Sequence, residues 1–248
     1  MSLQIHLNSK YADSYNNNSI SDCNFCLPNI ETPNDHQINV SVQQANIPYS
    51  MYNINTSNNY LKYYYTNDQV LRTLTITPGN YTCYTLLTYL QANFYNMTVT
   101  YNAITNKYTF SSTYSDFVFN YQSFIFSPCF TLLRFSQVDQ SSFLKYLTSD
   151  ICSNLSTVRC ICIASNLSSD NYSKANSNNK KILCLIPVNV SPFAIIIYHA
   201  LSHFKTNLFN NNLSFVSLKL IDQDGLLIDL NGCHWSCVLQ IDVETYVD

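Results

Sequence analysis

From residue 38 the chain alternates apolar and polar positions in short runs. Ile38, Val40 and Val42 alternate with Asn39, Ser41 and Gln43 before Ile47-Pro48 turns the chain. A period of two puts every second side chain on one face, the pattern of a half-buried strand. Residues 60 to 65 and 71 to 76, rich in Tyr, Thr and Ile, predict two more strands. RCICIAS at 159 to 165, ILCLIPV at 182 to 188 and FAIIIYHA at 193 to 200 predict another three. Near the C-terminus Val216, Leu218 and Leu220 precede Asp224-Gly225, and Trp235, Cys237, Leu239, Ile241 and Val243 follow Asn231-Gly232. Both dipeptides suit type I′ hairpin turns, which need positive φ at their two central residues. The stretch 220 to 243 therefore predicts a three-stranded meander, with Asp224 at positive φ, Asp222 capping the strand end and Trp235 in the core.

One segment has helical spacing. In TPGNYTCYTLLTYLQANF a Pro-Gly turn at 78 to 79 precedes Leu86, Leu87, Leu90 and Phe94, with Asn80 or Thr82 as N-cap. Next, MTVTYNAITNKYTF pairs Val99 and Tyr101 with Tyr108 and Phe110 across a polar turn. Less regular β segments run on to Phe135. The organisation expected is an extended polar arm over 1 to 36, a β domain over 37 to 77 and 137 to 248, and a small α+β insert over 78 to 136. A polar loop without an apolar anchor fills 166 to 181. No fixed repeat or heptad pattern occurs. The fold class is all-β.

Charge alters this picture more than length does. Only 11% of the 248 residues are Asp, Glu, Lys or Arg, against about 25% in an average soluble protein. Asn, Tyr, Ser and Thr take their place. Surfaces buried among identical neighbours do better without repelling charges, so the composition favours assembly. The net charge is −3 and Lys and Arg form no cluster, which removes the footprint that direct nucleic-acid binding requires. FAIIIYHAL at 193 to 201 is too short to span a bilayer, and the N-terminal residues lack a secretory apolar region. A soluble, unsecreted protein is expected, with its ten cysteines reduced.

Candidate chemistry is sparse. Cys23, Cys26, Cys233, His234 and Cys237 could supply a tetrahedral zinc site. Strand spacing separates Cys233 and Cys237 by about 13 Å, however, and predicts buried thiols rather than a knuckle. His199 and His203 in HALSH imitate a metalloprotease helix, but Ala200 stands where the general base would be. Asp222, Asp224 and Asp229 fall short of a calcium loop, since IDQDG has two of its aspartates and no glutamate at the required distance. With three glycines in the chain, phosphate loops and nucleophile elbows are excluded. No catalytic residue, cofactor or metal is predicted.

Several segments together resemble a known family. SDCNFCLPNI, INVSVQQANIPYSMYNI followed by Asn58-Asn59, TITPGNYTCYTLLTYLQ, and TVTYNAITNKYTF ahead of LLRF at 132 to 135 are similar to the penton and minor capsid proteins of virophages and polinton-like viruses. RCICIASN, ILCLIPVN and LKLIDQDGLLIDLNGCHWSCVLQI continue the likeness. One departure stands out: the family pattern has LLGF where this chain has Leu133-Arg134-Phe135. The resemblance implies a jelly-roll β-sandwich with a small α+β insert. It also implies a structural protein of the virion capsid, assembled in the host cytoplasm as a homopentamer beside the major capsid protein. A jelly-roll attachment or lectin-like module, with tyrosines lining glycan sites, is the alternative.

Overall fold

The computed structural model describes residues 2–33, 36–121, 128–167, 172–173, 180–200, 205–208 and 212–245. The chain forms two compact units, Met1–Met51 with Val158–Asp248, and Tyr52–Thr157.

The first unit contains eight principal strands. In chain order they are Ser2–Asn8, Asp22–Glu31, His36–Pro48, Cys160–Ser165, Lys180–Pro187, a sixth in two pieces (Ile195–His199 and Thr206–Leu208), Asn212–Asp222 and Ser236–Thr245. First pairs with eighth, second with seventh, third with sixth and fourth with fifth, all antiparallel. This is one long hairpin, and rolling it up adds the contacts of eighth with third and of fourth with seventh. The result is two sheets, ordered first-eighth-third-sixth and second-seventh-fourth-fifth. That order defines a jelly roll. Both sheets contribute to one core, with Val40, Ile47, Leu239 and Ile241 from the first and Phe25, Ile163, Val216 and Leu218 from the second.

The third strand shows how sequence phase becomes structure. Its buried apolar residues are Ile38, Val40 and Val42, then Ala45 and Ile47, so the parity of the apolar core set changes from even to odd. The register against the eighth strand slips at this point: Leu239 faces Val42, Val238 faces Gln44, and Gln43 is the extra residue. A bulge there returns the apolar set to the core, which an uninterrupted strand would have turned outward.

Two expectations for this unit are corrected. Where an extended arm was expected over 1 to 36, Ser2–Asn8 and Asp22–Glu31 are strands of the sandwich: Leu3, Ile5 and Leu7 lie opposite Ile241, Leu239 and Cys237, and Cys23 to Cys26 lie along the seventh strand. The alternation over 2 to 8 was present but diluted by the Asn-rich residues that follow it. Nor is 220 to 243 a meander, since the seventh and eighth strands belong to different sheets. The seventh strand ends in a three-residue loop: the Asp222 N–H donates to the Leu226 carbonyl at 2.9 Å, and the Gly225 N–H to the Asp222 carbonyl at 3.1 Å. Only Gly225, at φ 78, takes the left-handed conformation there; Asp224 does not. After the short Ile221–Leu227 bridge the chain leaves the sheet. Asn231 and Gly232, at φ 49 and φ 82, make the second turn, closed by the Cys233 N–H on the Leu230 carbonyl at 3.0 Å, and this turn leads into the other sheet.

The second unit is α+β. Helix α1 spans Cys83–Asn93, with Thr82 as N-cap in a reciprocal capping box with Thr85. Leu86, Leu90 and Phe94 are buried and Leu87 is half-buried. Met97–Asn102 and Lys107–Ser112 form the hairpin in the expected register, Val99 opposite Phe110 and Tyr101 opposite Tyr108. The unit begins and ends further out than 78 and 136. Tyr60–Tyr65 pairs with both Arg72–Thr75 and Phe117–Phe119, so the strands expected in the jelly roll over 60 to 76 belong here. A short helix, Phe130–Leu133, replaces the β structure expected there. The aromatic content is concentrated in this core, where Phe110 and Phe119 meet edge to face at 4.9 Å and Tyr121 stacks on Phe130 at 5.2 Å.

Candidate assembly surfaces

The thiols and imidazole weighed for zinc lie apart. Cys23 and Cys26, three residues apart on one strand, point to opposite faces, so Cys23 is in the core and Cys26 is exposed. The Cys23 thiol donates to the Ile20 carbonyl at 2.8 Å. Cys237 is buried in the eighth strand and Cys233 is exposed at the turn. His234 Nδ1 lies 3.1 Å from Ser9 Oγ. Burial, with a smaller push from Asp22, raises the Cys23 thiol to about 12, and burial raises Cys237 to about 12 as well. Both are held as neutral thiols. Among the described residues no three or more His, Cys, Asp or Glu are grouped so as to hold a metal ion.

The remaining candidates are scaffold by position. His199 lies in a strand opposite Gln44, and His203 is outside the described residues. Asp222 Oδ1 accepts the N–H groups of Asp224 and Leu226 at 2.9 and 2.8 Å, and Asp229 Oδ1 accepts that of Asn231 at 2.8 Å. Both carboxylates thus tie turns. Trp235 is buried, with its indole N–H on the Ile20 carbonyl at 3.0 Å. The loop expected over 166 to 181 lies mostly outside the described residues.

What the surface offers is neutral contact area. Several of its few charges are paired: Lys205 with Asp242 at 3.1 Å and with Glu244, Lys219 with Asp22 at 2.8 Å, and Arg72 with Asp68 at 2.7 Å. In the second unit Phe143, Leu144 and Tyr146 are exposed around a two-residue turn whose centre, Leu144 and Lys145, has φ 50 and φ 68. In the jelly roll Ile195 and Ile197 are exposed, at 57% and 60%, on the sheet of which the first strand is the opposite edge. Sequence reading singled out neither surface. Periodicity marks what is buried within a chain and says nothing of apolar residues left outside.

The architecture matches the crystal structure of the mavirus penton protein with a TM-score of 0.53, over 98% of this chain and 100% of that one, at 12% identity. The two share a fold. A chain in the cryo-EM structure of the Sputnik virophage gives a TM-score of 0.45 at 14% identity, over 96% of this chain and 97% of that one. No protein-family model matches the sequence, and no curated protein matches it.

Proposed function

We propose that this chain is a structural protein of a viral capsid, stationed at the vertices, where copies assemble as a homopentamer against the neighbouring major capsid protein. The observation that carries the reading is the fold shared with the mavirus penton protein over 98% of this chain and 100% of that one. Low charge supports it, because desolvating a neutral flank costs less than desolvating a charged one. The scattered thiols, histidines and turn-bound aspartates support a role without catalysis. Among the described residues no helix is long and apolar enough to cross a membrane. The reading places the protein in the virion, assembled in the host cytoplasm, without direct contact to nucleic acid. Mechanism here means self-assembly through the long sides of the jelly roll, with the loop at 166 to 181 outside the contact.

The test is native mass spectrometry across a concentration series, with and without residues 166 to 181, alongside imaging of the particle. Five-fold rings that survive loop deletion, and density for the chain at the vertices, are expected. A protein that stays monomeric at high concentration and is absent from the vertices overturns the reading and promotes the attachment module.

A further inference from the structure

Among the described residues, one sheet of the jelly roll has both edges covered by short strands and the other has neither edge paired. In the covered sheet Ser14–Tyr15 pairs along the second strand and Tyr172–Ser173 along the fifth. Lys181, exposed on the fifth strand, adds a charge at that edge. Short covering strands and charges are the means by which natural sheets prevent edge-to-edge pairing. The other sheet ends in Ser2–Asn8 on one side and Ile195–His199 on the other, and among the described residues neither pairs outward. SLQIHLN and IIIYH contain no Asp, Glu, Lys, Arg or Pro.

These two edges are complementary in three respects. The first is direction. All four strand positions from first to sixth are antiparallel to their neighbours, so the two edge strands run in opposite senses. Copies related by rotation about an axis along the strands therefore bring these edges together antiparallel. The second is hydrogen bonding, which alternates along an antiparallel pair. The Ser9 N–H donates to the Trp235 carbonyl at 2.9 Å, so Leu7, Ile5 and Leu3 bond inward while Gln4, His6 and Asn8 turn their backbone groups to the free edge. The Ala200 N–H donates to the Gln43 carbonyl at 2.9 Å, so Tyr198 and Ile196 bond inward while Ile195, Ile197 and His199 turn outward.

The third is the face. Residues that exchange hydrogen bonds across an antiparallel pair carry their side chains on the same side. On both edges the residues with outward backbone groups have their side chains on the solvent face: Leu7 and Ile196, their neighbours, are buried at 6% and 1% exposure. Pairing would therefore continue the pleat. It would also bring Ile5 and Tyr198, half-buried at their open edges, into one layer.

We propose that the first strand of one copy pairs with Ile195–His199 of the next, so that this sheet runs from copy to copy around the ring. The contact joins two different surfaces, as a cyclic ring requires. The ring itself rests on the capsid reading above; the choice of edges rests on the strands alone.

Proline substitution separates the backbone contact from the fold. Pro is tolerated on an edge strand where the N–H it removes points outward, so Ile197→Pro and Gln4→Pro leave the bonds within the sheet intact. At concentrations where the unaltered protein forms rings, both variants are expected to remain monomeric by native mass spectrometry with unchanged circular dichroism. Should a proline variant unfold, Ile197→Lys carries the same test, since its side chain lies in solvent. In the unaltered protein, outward amides within 2 to 8 and 195 to 199 are expected to exchange hydrogen on the order of tenfold more slowly on assembly. If the protein is monomeric alone, the exchange comparison is made on purified particles. Rings formed by the folded variants, or unchanged exchange on assembly, overturn the edge pairing and leave the capsid reading standing. Absence of both rings and vertex density overturns the two together.

Discussion

Arg134 donates its backbone N–H to the Phe130 carbonyl at 2.7 Å while its own backbone sits in the left-handed region, at φ 62 and ψ 45. This is the C-terminal stop of the Phe130–Leu133 helix, a position that glycine fills at least strain. It is the residue at which the sequence departs from the LLGF pattern of the proteins it resembles. Arg134→Gly is expected to raise unfolding free energy by about 1 kcal/mol. It also removes a buried Nε that has no hydrogen-bond partner among the described residues. Urea titration checks it; a lower midpoint would show that the Arg134 side chain contributes more than the strain costs.

Leu144 and Lys145 present the same problem twice over. Phe143 and Tyr146 exchange both backbone hydrogen bonds, at 2.9 and 3.0 Å, around them, and Asp116 Oδ1 accepts the Lys145 N–H at 2.6 Å. Leu144→Asn with Lys145→Gly supplies the residues that a type I′ turn favours. The melting temperature should rise, in keeping with a gain of about 1 to 2 kcal/mol. No gain would mean that the exposed leucine already contributes packing to the native state.

Gly232 has φ +82 and open space around an added Cβ. Gly232→Val should therefore cost stability through backbone strain alone, on the order of 1 to 3 kcal/mol. Gly79→Ala is the control, because its Cβ would meet Tyr81 Cε2 at an ordinary 3.5 Å. Thermal melts of the two variants should separate, with Gly232→Val the lower.

Two aspartates should give opposite pH dependences. Burial raises Asp222 above the usual carboxylate range, although its carboxylate accepts backbone N–H groups. The folded state then binds protons more tightly than the unfolded one, so its contribution falls as pH rises through that window. Asp68 is lowered by hydrogen bonds from Arg72 and from the Val70 N–H. Its contribution is present above the unfolded value and is lost as pH falls below it. Melting curves recorded from roughly pH 3 to 7 should lose the first dependence in Asp222→Asn and the second in Asp68→Asn. Parallel curves for the two variants would refute the assignment.

Thiol reactivity should follow burial. Cys26, Cys152 and Cys233 are exposed, whereas Cys23, Cys129, Cys162 and Cys237 are buried and raised to about 12. Only thiolate reacts with iodoacetamide. In the native protein at neutral pH, peptide mapping should find label on the first three and none on the buried four until denaturant is added. Early labelling of Cys23 or Cys237 would show that the core between the two sheets opens.

Elements whose partners lie nearby in sequence were legible without the structure. The helix with its Thr82 cap, the Val99–Phe110 hairpin and the Asn231-Gly232 turn draw their stability from residues within about one helical or hairpin length. Alternation also marked the core face of the eighth strand, where Cys237, Leu239 and Ile241 are buried. It could not say which strand lies beside which. Leu3 meets Ile241 and Cys23 meets Leu218 because a sheet forms hydrogen bonds with any strand of matching pleat, whatever the chain length between them. That indifference let a polar-looking N-terminus become two strands of the sandwich, moved the seventh and eighth strands into separate sheets, and drew residues 60 to 76 into the inserted unit. The sequence by itself determined that the chain would be β-rich and sparsely charged. Only the tertiary structure decided which strand edges were left without partners, because an edge is defined by the strands that do not come to lie beside it.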